Sequence, residues 1–476
     1  MDDTDELSDD QLWERLAGAE PGERAEITLE LAERAASLDD HERAVTMGKA
    51  AAVAAERAVS ATVQARATFL VADAHAGLGR IEHALAGYAA AASLYRGLVD
   101  ERELAVCHFR AGWVLRGADR LEEALEEWHV AERLLAGLDG CEDDLGRCAL
   151  GRAVALEQLG RRDEALDALR VAREAFRAYG DPRQTAWADE RAASVLLGLG
   201  RSTEAVERLE SCLSIVEASG DLDRLARAEL QLGHALRVDD RADEALRMIR
   251  RARRSFRRQG RLADVANCDR ESGICHATLG RHEKAHRHFV RSRAVSDAAG
   301  DDAGVRAADL DIGALLWSVG RTEESLAATR RGLESAVAEK DQSAAFALTT
   351  RLAGCLLDLG RADEAAQAVQ ECPGAPSAAG VVERALRLRT RARLELDAGD
   401  HLTATALVDE GLALLEGSKR TSVQASLYAV RAQATESCDP AGSMGDRARS
   451  VALHLAAGDA IRAEELARPF LPSTDA

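Results

Sequence analysis

The sequence predicts an all-α fold built as a solenoid of tandem repeats, and three observations support this prediction. Apolar residues make up 46% of the 476 residues but aromatic residues only 3%, so alanine and leucine, both strong helix formers, supply most of the apolar surface. Only 7 residues are proline, which leaves few positions where a helix is forced to stop. A short phrase also recurs every 40 residues, and a chain of this length suits a repeat array better than one ordinary globular domain.

The recurring phrase is Gly or Asp followed by Arg, with an acidic residue and a small residue shortly after. Its arginines are Arg80, Arg120, Arg161, Arg201, Arg241, Arg281, Arg321 and Arg361. Weaker copies at 39–44 and 399–404 bring the number of units to about ten. A fixed period of this size is typical of stacked supersecondary units, and each unit here is predicted to be helix A, a tight turn and helix B.

The glycine and the charges of the phrase have a structural interpretation. Gly after a helix can adopt the left-handed conformation that closes its C-terminus, and the Arg that follows lies where a cation favours the carbonyl end of helix A. The next acidic residue, such as Glu122 or Asp163, falls at the start of helix B, where the helix dipole favours an anion. We therefore expect the repeated charges to serve the fold and not catalysis.

Small residues recur at two fixed distances from the turn, and two antiparallel helices that cross closely need small side chains at such positions. Seven residues before the Gly or Asp stand Ala32, Ala72, Gly112, Ala153, Ala193, Gly233, Gly273, Gly313, Ala353 and Ala392. Five residues after it stand Ala44, Ala84, Ala124, Ala165, Ala205, Ala245, Ala285, Ser325, Ala365 and Ala404. Four residues further on, the same helix face carries larger residues, which are Tyr88, Trp128, Leu169, Leu209, Ile249 and Phe289.

This pattern resembles the tetratricopeptide repeat (TPR), whose small helix A residue, turn glycine, early helix B alanine and following aromatic or leucine all have counterparts here. The resemblance covers roughly residues 20–416 and implies a right-handed superhelical solenoid of about ten TPR-like repeats with a helical C-terminal cap. The family's period is 34 residues, so the extra residues are expected to lengthen helices and connectors. Gly-Asp, as at 180–181, mostly replaces the family's proline after helix B. Longer repeats of this kind look like those of bacterial signalling and regulatory proteins.

The repeat pattern sets the expected domain boundaries. Residues 1–19 are predicted to be an acidic tail and a capping helix that starts near Ser8, 20–416 the tandem repeats, and 417–476 a degenerate repeat with the C-terminal cap. Solenoids need such a cap to cover their last apolar face. Its helices are predicted near 423–437, 444–457 and 460–468. The Pro- and Gly-rich segment 373–380 is expected to be a long connector, with a hinge as the alternative.

Charge and hydropathy limit the possible functions. The formal net charge of −20 argues against general affinity for nucleic acid or anionic membranes. No segment approaches the roughly 20 consecutive apolar residues of a membrane span. The acidic N-terminus lacks the basic and apolar regions of a signal peptide, so we expect a cytoplasmic protein with reduced cysteines.

No pattern in the sequence indicates an enzyme, a cofactor site or a metal site. Seven of the nine cysteines fall at three equivalent repeat positions, as expected for small packing residues. They are Cys107, Cys148 and Cys268, then Cys275 and Cys355, then Cys212 and Cys372. Neither a C-x-x-C pair nor a nucleotide-binding glycine motif is present. The abundant acids have the spacing of solvated helix faces.

One basic stretch is a candidate binding surface. It comprises the fifteen residues 247–261, none of which is acidic. Its arginines are Arg247, Arg250, Arg251, Arg253, Arg254, Arg257, Arg258 and Arg261. We expect Arg250, Arg254, Arg257 and Arg258 to bind an acidic segment of a partner, or phosphate. The alternative is a solvated face that pairs with neighbouring Asp and Glu or with the acidic N-terminal tail. Nucleic acid is an unlikely ligand for this patch alone.

The second candidate surface follows from the TPR resemblance, because helix A in that family lines a concave groove that holds an extended peptide or a helix. The positions expected to face such a groove include Phe69, Phe109, Trp113, Arg116, Trp187, Arg227, Leu230, His234, Arg237, Arg270 and Trp317. Trp and Arg are enriched at binding hot spots, although some of these Trp residues have the alternative of being core. The Asn and Lys with which the chaperone-binding subfamily clamps a C-terminal carboxylate are absent here.

Together these patterns favour a non-enzymatic adaptor or scaffold that binds a protein or peptide through the groove and the basic helix. The alternative is a regulatory sensor that binds a peptide or small ligand and modulates a partner enzyme or transcription factor. The two differ in one observable property, because a sensor should change shape when its ligand binds. The sequence predicts neither the partner nor the oligomeric state.

Overall fold

The computed structural model describes residues 7–372, 374–376, 380–416, 421–456 and 460–467. In these residues α-helices are the only regular secondary structure, so the predicted all-α fold is confirmed. The chain divides into two compact units, Met1–Ala228 and Glu229–Ala476. Within each unit the helices pack mainly against their neighbours in sequence, as expected of stacked repeats.

The helices alternate as the predicted pairs of helix A and helix B. Helix A of successive units is α2 (Pro21–Ser37), α4 (Ala61–Gly77), α6 (Glu101–Gly117), α8 (Glu142–Gln158), α10 (Pro182–Gly198), α12 (Leu222–Val238), α14 (Leu262–Thr278), α16 (Asp302–Ser318), α18 (Gln342–Asp358) and α20 (Val381–Asp397). Helix B is α3 (His41–Arg57), α5 (Ile81–Leu98), α7 (Leu121–Leu135), α9 (Arg162–Tyr179), α11 (Ser202–Ser219), α13 (Ala242–Arg258), α15 (His282–Ala299), α17 (Thr322–Ala338), α19 (Ala362–Glu371) and α21 (His401–Leu414). α1 (Asp9–Gly18) precedes the pairs, and α22 (Thr421–Thr435), α23 (Pro440–Ala456) and α24 (Ala460–Ala467) follow them.

The recurring small and large residues form the contacts between helix A and helix B. Trp128 of α7 is completely buried, and a Cβ added to Gly112 of α6 would lie 2.6 Å from its indole nitrogen. The same fit occurs in the second unit, where a Cβ on Gly273 would lie 2.5 Å from the Phe289 ring. Glycine therefore faces the bulky Trp128 and Phe289, whereas Ala153 shares a hydrophobic cluster with the smaller Leu169.

The turn between helix A and helix B explains the recurring charges. At Asp119 the backbone is left-handed, with φ +61°, and the Arg120 amide donates to the Leu115 carbonyl over 2.9 Å, which closes helix A. The Arg120 side chain donates to both carboxylate oxygens of Glu123, each over 2.7 Å, and to Glu82 of the preceding repeat over 2.9 Å. The turn arginine thus anchors the start of helix B and links adjacent repeats. No catalytic role is needed to explain why it recurs.

The turn between successive repeats explains why Gly-Asp replaces the proline of the family. Gly180 is left-handed, with φ +83°, and ends α9, whereas the Asp181 carboxylate accepts from the Gln184 amide over 3.0 Å and so caps α10. These connectors stay short, and α9 and α10 have 18 and 17 residues. The additional residues of the 40-residue period therefore lengthen the helices in these repeats, and a longer connector lies at 136–141, between α7 and α8.

α1 lies at the N-terminal end of the array, and α22, α23 and α24 lie at its C-terminal end. α1 begins directly after Ser8, whose side chain accepts from the Gln11 amide while the Gln11 side chain accepts from the Ser8 amide. Leu12 of α1 is buried, whereas Trp13 is 41% exposed. The predicted tail at 1–6, parts of the 373–380 connector and the last residues of the chain lie outside the described residues. No helix in the described part is both long and apolar enough for a membrane crossing.

Candidate binding surfaces

The helix A residues of the first unit line an open recess of about 580 Å³. It is lined by residues of α2, α4 and α6 and by the adjoining turn and α5, including Ala36, Leu70, Asp73, Tyr88, Arg110, Trp113 and Val114. Small and aliphatic side chains form most of this surface. Asp73 supplies its main polar feature, because it accepts a hydrogen bond from the Tyr88 hydroxyl and lies 3.7 Å from Arg110.

An aromatic stack borders this recess and holds three of the predicted binding residues together. Phe109 and Trp113, both half-buried, meet edge to face with ring centroids 6.2 Å apart, and Trp113 meets the buried Trp128 at 5.5 Å. The Trp128 indole donates to the Phe109 carbonyl over 3.2 Å, and the Arg116 guanidinium lies 4.7 Å from the Trp113 ring centroid. The stack fixes the Trp113 side chain and leaves part of its surface available to a ligand.

Two other predicted residues of the first unit lie apart from this stack. Trp187 of α10 is half-buried, and the Arg191 guanidinium lies 5.4 Å from its ring centroid while pairing with Glu157 at 2.8 Å. Arg227 is exposed and pairs with Asp223 one turn away at 2.5 Å. Neither residue lines the recess beside Trp113.

In the second unit, three predicted groove residues converge on a carboxylate that the sequence analysis did not identify. Glu271 of α14 is 6% exposed; its carboxylate lies 3.0 Å from Arg237 Nε, 3.5 Å from His234 Nδ1 and 3.6 Å from Arg270 Nη1. Burial opposes ionisation of Glu271, but the hydrogen bond with His234 and the positive charges of Arg237 and Arg270 outweigh it and lower its pKa to about 2. Arg270 also donates to Asp311 of the next helix A over 2.7 Å. These cations are therefore engaged inside the fold.

Trp317 does not lie on a binding surface, which corrects the expectation for this residue. It is 7% exposed and packs with Leu326, Leu352 and their neighbours in a hydrophobic cluster. Its indole nitrogen donates to Asp358, and the Arg389 guanidinium lies 4.7 Å from its ring centroid. Trp317 is therefore a core residue, as the alternative interpretation of the Trp residues had allowed.

The basic stretch separates into two groups of arginines. Arg251 and Arg253 turn toward buried acids of helix A, at 2.7 Å from Glu229 and 2.9 Å from Asp269. Four arginines are exposed, with no described carboxylate within 4.0 Å, and they are Arg250, Arg254, Arg257 and Arg258. These are the four predicted binding residues of this helix, whereas Arg247, Arg251, Arg253 and Arg261 pair with neighbouring acids.

His276 of α14 is surrounded by positively charged residues, most of them from α15 and the turn before it. Burial, together with the positive charges of His288, Arg281, Lys284 and Arg250, lowers the pKa of His276 on α14 to about 4, so this imidazole is neutral at pH 7. The His276 and His288 ring centroids lie 5.2 Å apart.

The acids that receive the inward arginines form a series that the sequence analysis missed. Each is buried and lies eleven residues before the Gly or Asp of its turn, and the series is Asp189, Glu229, Asp269 and Asp309. Asp269 accepts from Arg291 and lies 2.9 Å from Arg253, and Asp309 lies 3.1 Å from Arg293. Burial alone would raise the pKa of Asp269, yet the His288 hydrogen bond and the arginine charges lower it. The 40-residue spacing of acids within apolar surroundings was the signal that could have revealed this series.

The comparisons with known proteins bear on the fold. No protein-family model and no curated protein matches the sequence. The crystal structure of the apo form of RapI is similar, with 13% identity, a TM-score of 0.53, and coverage of 79% of this chain and 99% of RapI. The apo quorum sensor NprR from B. thuringiensis covers 71% of this chain and 99% of its own, at 14% identity and TM-score 0.48. A STAND protein with a tetratricopeptide repeat sensor, PH0952 from Pyrococcus horikoshii, has 12% identity and TM-score 0.46, with 69% of this chain and 52% of its own covered.

At such low identity the likeness to RapI shows the fold alone. Together with the helix pairs, their left-handed turns and their small-to-large contacts, it confirms that the chain has a TPR-like fold.

Proposed function

We propose that this protein is a non-enzymatic, cytoplasmic adaptor that binds a protein or peptide partner through the helix A surface of its first unit. The observation that carries this proposal is the half-buried Trp113, held in place by Phe109, Trp128 and Arg116 at the edge of an open recess. A side chain that is already fixed loses little conformational entropy when a ligand binds. Trp and Arg are also the residue types most often found at binding hot spots.

The chemistry of the recess indicates what part of a partner it would hold. Leu70 and Val114 offer an aliphatic surface beside Trp113, which favours an apolar side chain of the ligand. Asp73 and Arg110 lie in the same recess and supply an acceptor and a donor for ligand backbone or polar groups. An extended peptide segment with one bulky apolar residue fits this combination.

We propose the exposed arginines of α13 as a second contact surface for an acidic segment of the partner. Arg250, Arg254 and Arg257 follow one another at helical spacings of four and three residues, so they share a face of the helix. With Arg258 they lack a described carboxylate within ion-pair distance. Unpaired surface cations attract an acidic partner without first breaking an internal ion pair.

Affinity capture of the tagged full chain from its own cytoplasm, followed by mass spectrometry, tests the proposal. We expect a specific partner that wild type recovers, and we expect Trp113→Ala to weaken its binding by about tenfold or more. Trp13→Ala is the control, because Trp13 is also a partly exposed tryptophan but lies on α1. Equal recovery with wild type and Trp113→Ala would remove the recess as the binding site, and recovery of no protein would refute the adaptor function.

The basic surface is tested by reversing charge at Arg250, Arg254, Arg257 and Arg258 with Glu. A matched control makes the same reversal at four exposed arginines from helix B ends of the first unit, Arg57, Arg96, Arg133 and Arg177. Loss of the partner with the first variant and retention with the control supports a specific surface on α13. Equal losses would mean that net charge, not this surface, governs binding.

The second candidate function is a regulatory sensor, and the division of the chain into two compact units favours keeping it. A ligand that binds one conformation of a protein more tightly than another shifts the protein toward that conformation. Small-angle scattering with and without the captured peptide separates the two functions. An altered radius of gyration supports the sensor, and an unchanged one supports the scaffold.

A further inference from the structure

A second concave site lies in the second unit, where α19 ends and α20 begins. This pocket of about 340 Å³ has a basic side formed by one helix and an apolar side formed by several elements. Its lining residues include Phe346, Val369, Cys372, Arg384, Arg387, Leu388, Arg391, Glu410 and Leu414. Neither the repeat pattern nor the proposed partner-binding surfaces explain it.

Arg387 is the most unusual residue of this pocket because it is 8% exposed and has no carboxylate partner among the described residues. One guanidinium nitrogen, Nη2, donates to the carbonyls of Val369 and Cys372 over 2.7 and 3.0 Å, which caps the end of α19. The other, Nη1, is buried without a hydrogen-bond partner. Burial and the nearby charge of Arg391 lower the pKa of Arg387. A buried donor of this kind is costly unless an acceptor reaches it.

Two further arginines on the same helix make the pocket strongly cationic. Arg384 and Arg391 lie three residues before and four residues after Arg387, so all three share one face of α20. Both are exposed, and no described carboxylate lies within 4.0 Å of either. Glu410 of α21 is the acid that lines the pocket. Three guanidinium groups against one carboxylate leave an excess of two positive charges.

We propose that this pocket binds a phosphate monoester dianion through Arg384, Arg387 and Arg391. Arginine presents planar pairs of N–H donors that match phosphate oxygens, and a phosphate monoester carries close to two negative charges at pH 7. Phe346, Leu388 and Leu414 form an apolar wall beside the cations, which suits a phosphate group attached to an apolar or aromatic stem. The phosphate would also supply the acceptor that Arg387 Nη1 lacks.

Calorimetric titration of the full chain with phenyl phosphate tests the proposal, with inorganic phosphate and benzoate titrated in parallel. We expect saturable binding of phenyl phosphate and much weaker binding of benzoate, a monoanion with the same ring. The double variant Arg384→Gln with Arg391→Gln should weaken phenyl phosphate by about tenfold or more, as expected for lost charge-assisted hydrogen bonds. Both side chains are exposed, so the variant keeps the Arg387 cap of α19.

Two single variants show whether the charge of this pocket, and not of the whole surface, is responsible. Glu410→Gln removes the opposing carboxylate and should strengthen phenyl phosphate binding. Arg96→Gln removes an exposed arginine on α5, which has no proposed binding role, and should leave phenyl phosphate binding unchanged. Absence of saturable binding at millimolar ligand, or an equal effect of Arg96→Gln and the double variant, would overturn the proposal. Tighter binding of inorganic phosphate than of phenyl phosphate indicates a free phosphate ligand, and the reverse order indicates a phosphorylated molecule.

Cys372 offers an independent readout of the same site because it lines the pocket and is partly exposed. Cys438 is exposed, so the measurement uses a Cys438→Ser background. Phenyl phosphate should slow alkylation of Cys372 in this background and have no such effect in the double arginine variant. Unchanged alkylation despite saturable calorimetric binding would place the phosphate elsewhere and refute the assignment to this pocket.

Discussion

The replacement Glu271→Gln should destabilise the protein by several kcal/mol although it changes one atom of the side chain. Glu271 is 6% exposed and balances Arg237, Arg270 and His234. The neutral amide keeps the shape of the side chain and removes the charge. Arg237, whose side chain is 16% exposed, would then remain charged in a buried position without its main counterion.

The expected magnitude follows from the pKa of the carboxylate. The fold lowers the pKa of Glu271 from 4.5 to about 2, and at roughly 1.4 kcal/mol per pH unit this corresponds to about 3 kcal/mol of stabilisation by the ionised form. Because the folded-state pKa lies below the unfolded-state value, this stabilisation is fully present above pH 4.5. It is lost as the pH falls from 4.5 toward 2.

Urea unfolding of the full chain, followed by circular dichroism from neutral to acid pH, measures this effect. We expect the unfolding free energy of Glu271→Gln to lie about 3 kcal/mol below wild type at pH 7, with the gap closing below pH 4.5. Glu324→Gln is the control, because Glu324 makes a similar arginine pair on an exposed helix face and should have a much smaller effect. Equal effects of the two replacements at pH 7, or a gap that persists unchanged into acid, would refute the reasoning.

Three further replacements test the packing and the turns by thermal unfolding. Val99→Gly should stabilise the protein by about 1 kcal/mol, because Val99 is exposed and has a left-handed backbone with φ +58°. As the control, Val53→Gly inside helix α3 should destabilise the protein by about 0.5 kcal/mol. Stability changes of the same sign in both variants would contradict the strain assigned to Val99. Gly112→Ala should destabilise by about 1–3 kcal/mol and perturb tryptophan fluorescence, because its Cβ would lie 2.6 Å from Trp128, so an unchanged melting temperature would disprove the close fit. Trp317→Ala should destabilise by about 3–5 kcal/mol as a core truncation, and loss of partner binding at unchanged stability would restore Trp317 as a surface anchor.

The helix pairs and their packing could be predicted from the sequence because each repeat places the same type of residue at the same distance from its turn. Ala72 packs in a cluster with Tyr88, and Ala153 packs in a cluster with Leu169. The repeated pattern reveals the role of both alanines without any coordinates. The turn charges were equally predictable in kind. Their partners were not, because Arg120 reaches Glu82 of the preceding unit as well as its own Glu123.

The candidate sites were harder to predict because their ion pairs join helices from different repeats. Arg237 and Glu271 are 34 residues apart in sequence, and Arg270 and Asp311 are 41 apart, so helical spacing rules do not relate them. The burial of Trp317 was hard to predict for the same reason. It depends on contacts with Asp358 of α18 and Arg389 of α20, which lie far from Trp317 in the sequence.

The distribution of charge on α13 gives the two proposed partner surfaces different physical roles. Arg251 and Arg253 form ion pairs with buried acids. The other four arginines are exposed to solvent, so their charges act on a distant partner without being desolvated. Such charges mainly raise the rate of association and make it sensitive to salt. Trp113 is already packed against Trp128, so covering it removes apolar surface from water and mainly slows dissociation. Reversal of the α13 charges should therefore lower the association rate, whereas Trp113→Ala should raise the dissociation rate of the same complex.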